Sequence, residues 1–566
     1  MAEYLSPGVY VEEYDNSPRS IEGVGTSTAG FIGLAEKGPI EGAPLLVTSM
    51  KSFKQQFGGF LSEFGYGEYR FLANSVEQFF DNGGTRCYVM RVAPRDAKPA
   101  SAKKGLINVT ASSPGAWGNK IQVMLSTNKK RKLQLIEKTD AGFIAKSTEG
   151  FREGDLVEFE GTFTTIKTIF DREISFADDL PDSAVDTDIV PKAVVYLVTM
   201  DMSVRYGDDV ENYSELSVNT QSPRFIGSRL ASSDIIKVDF NPQKTPGNPV
   251  ADIIGEDVTD GVFFLDGGSD GSVAKVDPST YLGEDNGPGK RTGLEAFVEN
   301  NVVSMLAIPG ITMPEVVVGL VGHCERLRSR FAVLDMPREM YKTADLIGYR
   351  QMVDSTYCAM YHPWIQVFDR SSNKSDYIPP SGAVMGVYSR TDIDRGVHKA
   401  PANEVVFCTG LSVNYTKDEQ DILNPEGINL IRTLPGQGIR IWGARTASSN
   451  SAFKYVNVRR LFIFVEESIK ANTNWVVFEP NDPTLWQRVN LTISNFLDGL
   501  WRNGMLAGES AADSYFVEIG PSTMTRDDIM NGRLICNIGI APSRPAEFVI
   551  FRVTQHTSEA GGGGEE

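Results

Sequence analysis

Gly267-Gly268-Ser269-Asp270-Gly271 is the stretch of this chain whose residue types come nearest to catalytic chemistry. It fits the G-x-S-x-G pattern, in which a serine sits on a sharp turn between a strand and a helix, and Val262 to Leu265 before it reads as a strand. The pattern also needs a helix directly after the serine. Here Ser272-Val273-Ala274-Lys275-Val276-Asp277-Pro278 follows, a run too short and broken by its proline. A glycine-rich turn is the expected reading, and a serine hydrolase using Ser269 is the alternative. The same residues partly fit a calcium loop, with Asp266, Asp270 and Gly271 at its first, fifth and sixth positions. Gly268 at the third position and Asp277 at the twelfth remove one carboxylate and shorten the bidentate one. A calcium-stabilised binding module is therefore a second alternative. Gly289-Lys290 runs into Arg291 and lacks the first glycine of a phosphate-binding loop. His323, His362, His398 and His556 stand far apart, and neither His323-Cys324 nor Cys358 with His362 has zinc spacing, so core roles are expected for them. No catalytic residue, metal site or cofactor is expected.

With chemistry set aside, composition bounds the class. At 566 residues the chain is too long for a single core. Hydrophobic residues at 41% and charged residues at 23% are those of a globular protein. Acidic residues outnumber basic ones by 73 to 55, and a net charge of −18 repels phosphates, so nucleic acid is excluded as an expected partner. The basic cluster Lys129-Lys130-Arg131-Lys132 reads as a solvated turn. Cys87, Cys324, Cys358, Cys408 and Cys536 are odd in number and scattered, as in a chain folded with reduced thiols in a cytosol. The first residues, Met-Ala-Glu-Tyr-Leu-Ser-Pro-Gly, read as no signal peptide. Val302 to Cys324 carries one charge, Glu315, but Pro309, Gly310 and Pro314 interrupt it, so no membrane insertion is expected.

The elements form an alternating pattern broken by an insertion. Residues 1–20 read as an extended arm containing Val9, Tyr10 and Val11. Residues 21–95 read as the first part of an α/β core: a strand at Phe31 to Leu34, helices at Ser49 to Phe57 and Phe71 to Phe80, and a strand ending near Val92. From 96 to 275 short alternating runs between Gly, Asp and Pro predict inserted β-rich domains. From 276 to 545 the α/β signal returns. Val302 to Ile308 reads as a strand buried on both faces, Thr312 and Glu315 as a capping box for a helix reaching about Arg328, and Phe331 to Leu334 as the next strand. That β-α-β unit predicts a parallel or mixed sheet.

Two later helices are well specified. Residues 456–471 carry Val458, Leu461, Phe462, Val465 and Ile469 on one face, with Arg459, Glu466 and Lys470 opposite, the last two spaced to pair. The other opens at Asn481-Asp482-Pro483 and carries Trp486, Val489, Ile493, Phe496, Leu497 and Leu500. Residues 546–566 end the chain with Glu-Phe-Val-Ile-Phe-Arg-Val-Thr and a glycine-rich tail. Phe548, Val549, Ile550, Phe551 and Val553 make that strand apolar on both faces, so it must join a sheet, its own or a neighbour's.

Between about 300 and 445 the chain resembles contractile tail sheath proteins. The motifs are Leu306-Ala307-Ile308-Pro309-Gly310, His323-Cys324-Glu325 leading to Arg330-Phe331-Ala332-Val333-Leu334-Asp335, Tyr361-His362-Pro363-Trp364 and Pro379-Pro380-Ser381-Gly382. They continue in the run from Gly396 to Glu404, in Leu423-Asn424-Pro425 and in Ile441-Trp442-Gly443-Ala444-Arg445-Thr446. Tyr4 to Tyr10, Pro114 to Asn119 and the turn at 266–271 are similar as well, whereas 133–192 matches nothing and reads as a lineage-specific β insertion.

The resemblance implies a structural subunit, not an enzyme. Such subunits polymerise as stacked hexameric rings around an inner tube and contract from a metastable extended state. The arms, here Val9, Tyr10 and Val11 with Phe548, Val549, Ile550, Phe551 and Val553, would add strands to neighbours' sheets. Implied partners are further copies of the chain, the inner tail tube, the baseplate and a terminator or cap protein. One of the two C-terminal helices would meet the tube, with Arg459, Glu466 and Lys470 as candidate contacts. Assembly in a bacterial cytoplasm as part of a phage tail or phage-like injection particle is the expected setting, and both sheath signatures on one chain leave those two open.

Overall fold

The computed structural model describes residues 21–104, 107–178, 180, 193–240, 260–369 and 372–550. Its centre is a nine-stranded mixed sheet drawn from two separate stretches of the chain. The strand order is Leu45–Val47, Cys87–Val92, Ala29–Leu34, Met305–Ala307, Phe331–Asp335, Cys358–His362, Ile428–Leu434, Gly438–Ile441, Glu404–Val405. Cys87–Val92 through Ile428–Leu434 run parallel, and the strands at both margins are antiparallel. A parallel sheet must be covered on both faces, and its strands are mostly apolar for that reason. Phe331 and Val333 point into one core with the helices Leu72–Asp81 and Ser381–Arg395. Ala332 and Leu334 point into the other with the helix Pro314–Leu327. The fold is mixed α/β and multidomain.

The β-α-β unit starts differently from the sequence pattern. Thr312 does not cap the helix and Glu315 does not reach back; Met313 holds the cap position with no side-chain bond. Pro314 occupies the first helical position, where its missing N–H costs nothing, and this moves the start one residue beyond the Thr312–Glu315 spacing. Across the opposite face, the helices Leu72–Asp81 and Ser381–Arg395 touch through their backbones. A Cβ at Gly382 would collide with the Ser75 carbonyl, and one at Gly386 with that of Phe79. Glycine is a steric requirement at both positions.

Between the two core stretches lie three β units. A four-stranded sheet contains Asp209–Leu216, Thr199–Tyr206, Gln122–Asn128 and Asp260–Phe264, and a three-stranded one Ile236–Phe240, Ile107–Ala111 and Ser101–Lys104; they share one apolar cluster. The third unit is a closed barrel of Thr162–Phe170, Glu173–Phe176, Gly142–Ala145, Lys132–Thr139, Val194–Leu197 and Leu156–Phe159. Leu133, Leu135, Val157, Ile166, Ile174 and Val195 fill it. Closure leaves it no exposed strand edge. The basic cluster sits at its neck, and three of its charges are matched internally: Lys129 by Glu158 at 2.5 Å, Lys130 by Asp201 at 3.8 Å, Arg131 by Glu215 at 3.1 Å.

The C-terminal part has its own core. The helices Val456–Asn472 and Pro483–Arg502 pack with a two-stranded hairpin, Tyr515–Ile519 against Cys536–Ile540, in the register Val517↔Ile538. Asp482 caps the second helix, its carboxylate accepting from the Leu485 N–H at 2.8 Å, with Pro483 at the first position.

Candidate assembly site

The serine loop is a joint. Ser269 exchanges backbone hydrogen bonds with Lys98, both 2.9 Å, and its Oγ accepts from the Gly271 N–H at 3.2 Å. Asp270 accepts from the Ala116 N–H at 2.8 Å, while the Asn119 side chain donates to the Gly268 carbonyl at 2.9 Å and accepts from its N–H at 2.8 Å. Asp277 caps the short helix Pro278–Leu282. Each carboxylate that a calcium loop would use is thus engaged in a turn or cap, and Gly267 and Gly271 adopt the positive φ such a turn needs, 77° and 76°. Two of the motifs, Pro114 to Asn119 and 266–271, prove to be one interlocked structure. Among the described residues no group of three or more His, Cys, Asp or Glu is placed to hold a metal ion.

His323 and His362 are core groups, and His398 is half-buried. His362 bonds the Tyr415 hydroxyl at 2.9 Å, and burial pushes it down to about 4. Burial first, then Arg330, pushes His323 down to about 3. His556 lies outside the described residues. Asp335 ends a central parallel strand, the place where α/β sheets hold ligands. Its carboxylate is fully used: it accepts from the Gly310 N–H at 3.0 Å, the Ser381 N–H at 2.8 Å and the Ser381 hydroxyl at 2.7 Å. It thereby serves as N-cap for the helix Ser381–Arg395, whose own cap residue, Pro380, has no side-chain acceptor. Burial still pushes it up to about 6.

The features that stand out are apolar and uncovered. Phe548, Val549 and Ile550 are 71%, 68% and 79% exposed and pair with no strand of the subunit among the described residues. Phe551, Val553, Val9, Tyr10 and Val11 lie outside the described residues. The hairpin Tyr515–Ile519/Cys536–Ile540 is a sheet of only two strands, and among the described residues no third strand joins it; the Asn490 amide occupies the Val517 carbonyl, and Leu506 bridges Pro542 just beyond the second strand.

Of the three residues read as a charged outer face, Glu466 and Lys470 are exposed and Arg459 is not. Arg459 is 7% exposed, its guanidinium 3.6 Å from the Phe453 ring centroid and 4.5 Å from that of Tyr357. The first turns of its helix are buried all round, with the turn Ser451–Phe453 covering the side that periodicity marks as outer. Lys470 pairs with Glu467 at 3.2 Å, three residues back, and not with Glu466.

One constellation escapes a motif reading. Glu547, just before the uncovered segment, accepts from Arg445 Nε and Nη2 at 2.7 Å each, from the Asn424 amide at 2.8 Å and from the Tyr455 hydroxyl at 2.9 Å, with Lys454 Nζ 3.7 Å away. Burial alone would raise its carboxyl, but these donors outweigh it and hold it down at about 2. The sequence signal is slight: one acid between Pro545 and an apolar strand.

Residues 283–447 match the model of the phage tail sheath protein central domain, and residues 448–556 that of the phage tail sheath C-terminal domain. The chain belongs to the contractile tail sheath family. A prophage major tail sheath protein of Pseudomonas aeruginosa UCBPP-PA14 is 27% identical over 288 residues, 49% of this sheath chain and 72% of that protein. The tail sheath protein of Escherichia phage P2 is 26% identical over 286 residues, 48% of this chain and 70% of the relative. In fold, the chain is similar to the PVC sheath complex of an extracellular contractile injection system in its contracted state. That likeness has a TM-score of 0.54 at 21% identity and covers 98% of this sheath chain and 99% of the other. The family is a structural one, and its members form the tails of virions or of phage-like particles. No helix among the described residues is long and apolar enough to cross a membrane.

Proposed function

We propose that the chain is the sheath subunit that polymerises as stacked hexameric rings around an inner tube and, on contraction from a metastable extended state, drives that tube through a target envelope. It catalyses nothing; its energy is stored in contacts between subunits. Its partners are other copies of itself, the tube, the baseplate and a terminal cap, with assembly in a bacterial cytoplasm. The observation that carries this is the presence, in one subunit, of an uncovered apolar segment at 548–550 and of a sheet of only two strands that no third strand joins among the described residues. Strand addition would satisfy both, main-chain bonds supplying strength and alternate side chains the register. Contacts that pass head to tail without closing build a filament. Val9, Tyr10 and Val11 would add the second arm. Electron microscopy of the purified full chain tests this: filaments or stacked rings are expected, and dispersed compact particles at high concentration would rule it out.

The tube contact falls to the exposed faces of Val456–Asn472 or Pro483–Arg502. Glu466 and Lys470 qualify on the first, and Arg488 and Leu491 on the second. Arg459 remains a proposed contact only if tube binding displaces Phe453 and Tyr357 from it. Reversing Lys470 or Arg488 to glutamate should weaken tube binding by about two- to fivefold at low salt, where exposed charges act most strongly. Unchanged co-sedimentation with tubes after reversals on both helices would remove these helices from the interface.

A further inference from the structure

We infer that Glu547 is the anchor of the C-terminal arm, fixing its root so that a pull from the neighbouring subunit is borne by the central sheet. The inference rests on the strand-exchange reading above and adds to it where the load enters the subunit.

The geometry is a relay of short bonds. Arg445 grips Glu547 through two parallel hydrogen bonds, the arrangement in which a guanidinium holds a carboxylate most rigidly. Arg445 is itself fixed: its backbone N–H donates to Asn429 Oδ1 at 2.7 Å, and its Nη1 donates to the Asn424 carbonyl at 3.1 Å. The Asn429 amide donates to the carbonyls of Arg445 at 2.8 Å and Met360 at 3.2 Å. Asn429 and Met360 are fully buried on neighbouring parallel strands, Ile428–Leu434 and Cys358–His362. Two side chains therefore connect the arm's root to the middle of the sheet. The remaining bonds spread the attachment. Tyr455 stands at the start of the helix Val456–Asn472, and Asn424 at the end of Lys417–Leu423. Side chains from three elements converge on one carboxylate.

This arrangement exceeds what holding a chain end requires. Exposed terminal segments are ordinarily left loose, and beyond Glu547 the described residues have no such fixing: Phe548 to Ile550 are exposed. Firm attachment stops where apolar exposure begins. A strand added to a neighbour contributes to the lattice only if its own root cannot slide, because a slack root lets the strand leave register or peel away under load. The donors that hold Glu547, Arg445, Asn424 and Tyr455, belong to neither strand of the hairpin proposed to receive strands, so each subunit would both receive a strand and hold its own.

The test separates the anchor from the arm. Glu547→Gln keeps the arm but sets an amide N–H₂ against the donors of Arg445. The critical concentration for polymerisation, read by sedimentation, should rise about tenfold or more, while circular dichroism and the thermal midpoint of the unassembled subunit change little. Glu547→Asp should restore part of the loss, and Arg445→Met combined with Glu547→Gln should be no worse than the poorer single variant. A chain ending at Glu547 keeps the anchor and lacks the arm. If that chain fails to polymerise while Glu547→Gln polymerises like the parent, the anchor is overturned and strand exchange stands. If the shortened chain polymerises normally, strand exchange falls, and the anchor with it. Should Glu547→Gln not fold, Asn424→Ala with Tyr455→Phe is read in the same assay; a raised critical concentration supports the anchor and an unchanged one overturns it.

Discussion

A chain ended at Glu547 is expected to fold as the full-length subunit does and to form no sheath filaments. Among the described residues the cut leaves each buried cluster intact, because Phe548, Val549 and Ile550 belong to none of them and are largely exposed. The bonds of Glu547 survive as well, which makes this a cleaner end than one after Pro545, where Arg445 would lose its carboxylate. What is removed is the strand that would cover a neighbour. Phe548, Val549, Ile550, Phe551 and Val553, if fully buried there, would contribute about 1.5–3 kcal/mol each, an upper bound because ordering the strand costs entropy. Half of that sum still exceeds an exposed salt bridge between subunits, at about 0–1 kcal/mol. Circular dichroism reports the fold, and sedimentation with electron microscopy reports assembly. Normal filaments from the shortened chain would mean that strand exchange does not link the subunits. An unfolded product would place the terminal strand in the subunit's own core.

The central sheet was the most legible part, since a strand such as Phe331 to Asp335 has apolar residues for both faces and is spaced from its neighbour by one helix. The barrel's short strands were legible singly, but its closure depends on pairings such as Val195↔Leu133 and Tyr196↔Glu158, which local periodicity does not encode. Arg459 shows the limit of a helical wheel. The wheel gives the side of the helix a residue occupies, not whether a turn from elsewhere covers it; here two aromatic rings face the guanidinium, although burial still disfavours its charge. Asp335 and Glu547 escaped for a related reason. Each gathers donors from segments distant in the chain, Gly310 and Ser381 for one, Arg445, Asn424 and Tyr455 for the other. Motif reading recovers spacing along the chain, and these sites have none.

Asp392→Ala should lower the stability of the subunit by about 3–5 kcal/mol, and adding Arg460→Met should return much of that loss. The two side chains are each 3% exposed and form a double bond of charges, Nη1 to Oδ1 at 2.9 Å and Nη2 to Oδ2 at 2.5 Å. They join the helix Ser381–Arg395 to Val456–Asn472, and the same guanidinium donates to the Thr26 carbonyl at 3.0 Å and lies 4.7 Å from the Tyr388 ring centroid. Burial pushes the Asp392 carboxyl up despite Arg460 beside it, so the pair does not fully offset the cost of leaving water. For that reason the two substitutions differ in kind. Removing Asp392 alone strands a buried cation with one carbonyl acceptor, whereas removing both charges leaves no buried ion without its partner. The pair also fixes the first turns of a helix proposed to face the tube, close to Thr26 near the root of the N-terminal arm, so its loss should loosen assembly as well as the fold. Urea denaturation followed by circular dichroism, with the two single variants and the double compared, measures the coupling. An Asp392→Ala midpoint equal to the parent's, or a double variant as unstable as the sum of the singles, would show that the pair carries no such strain.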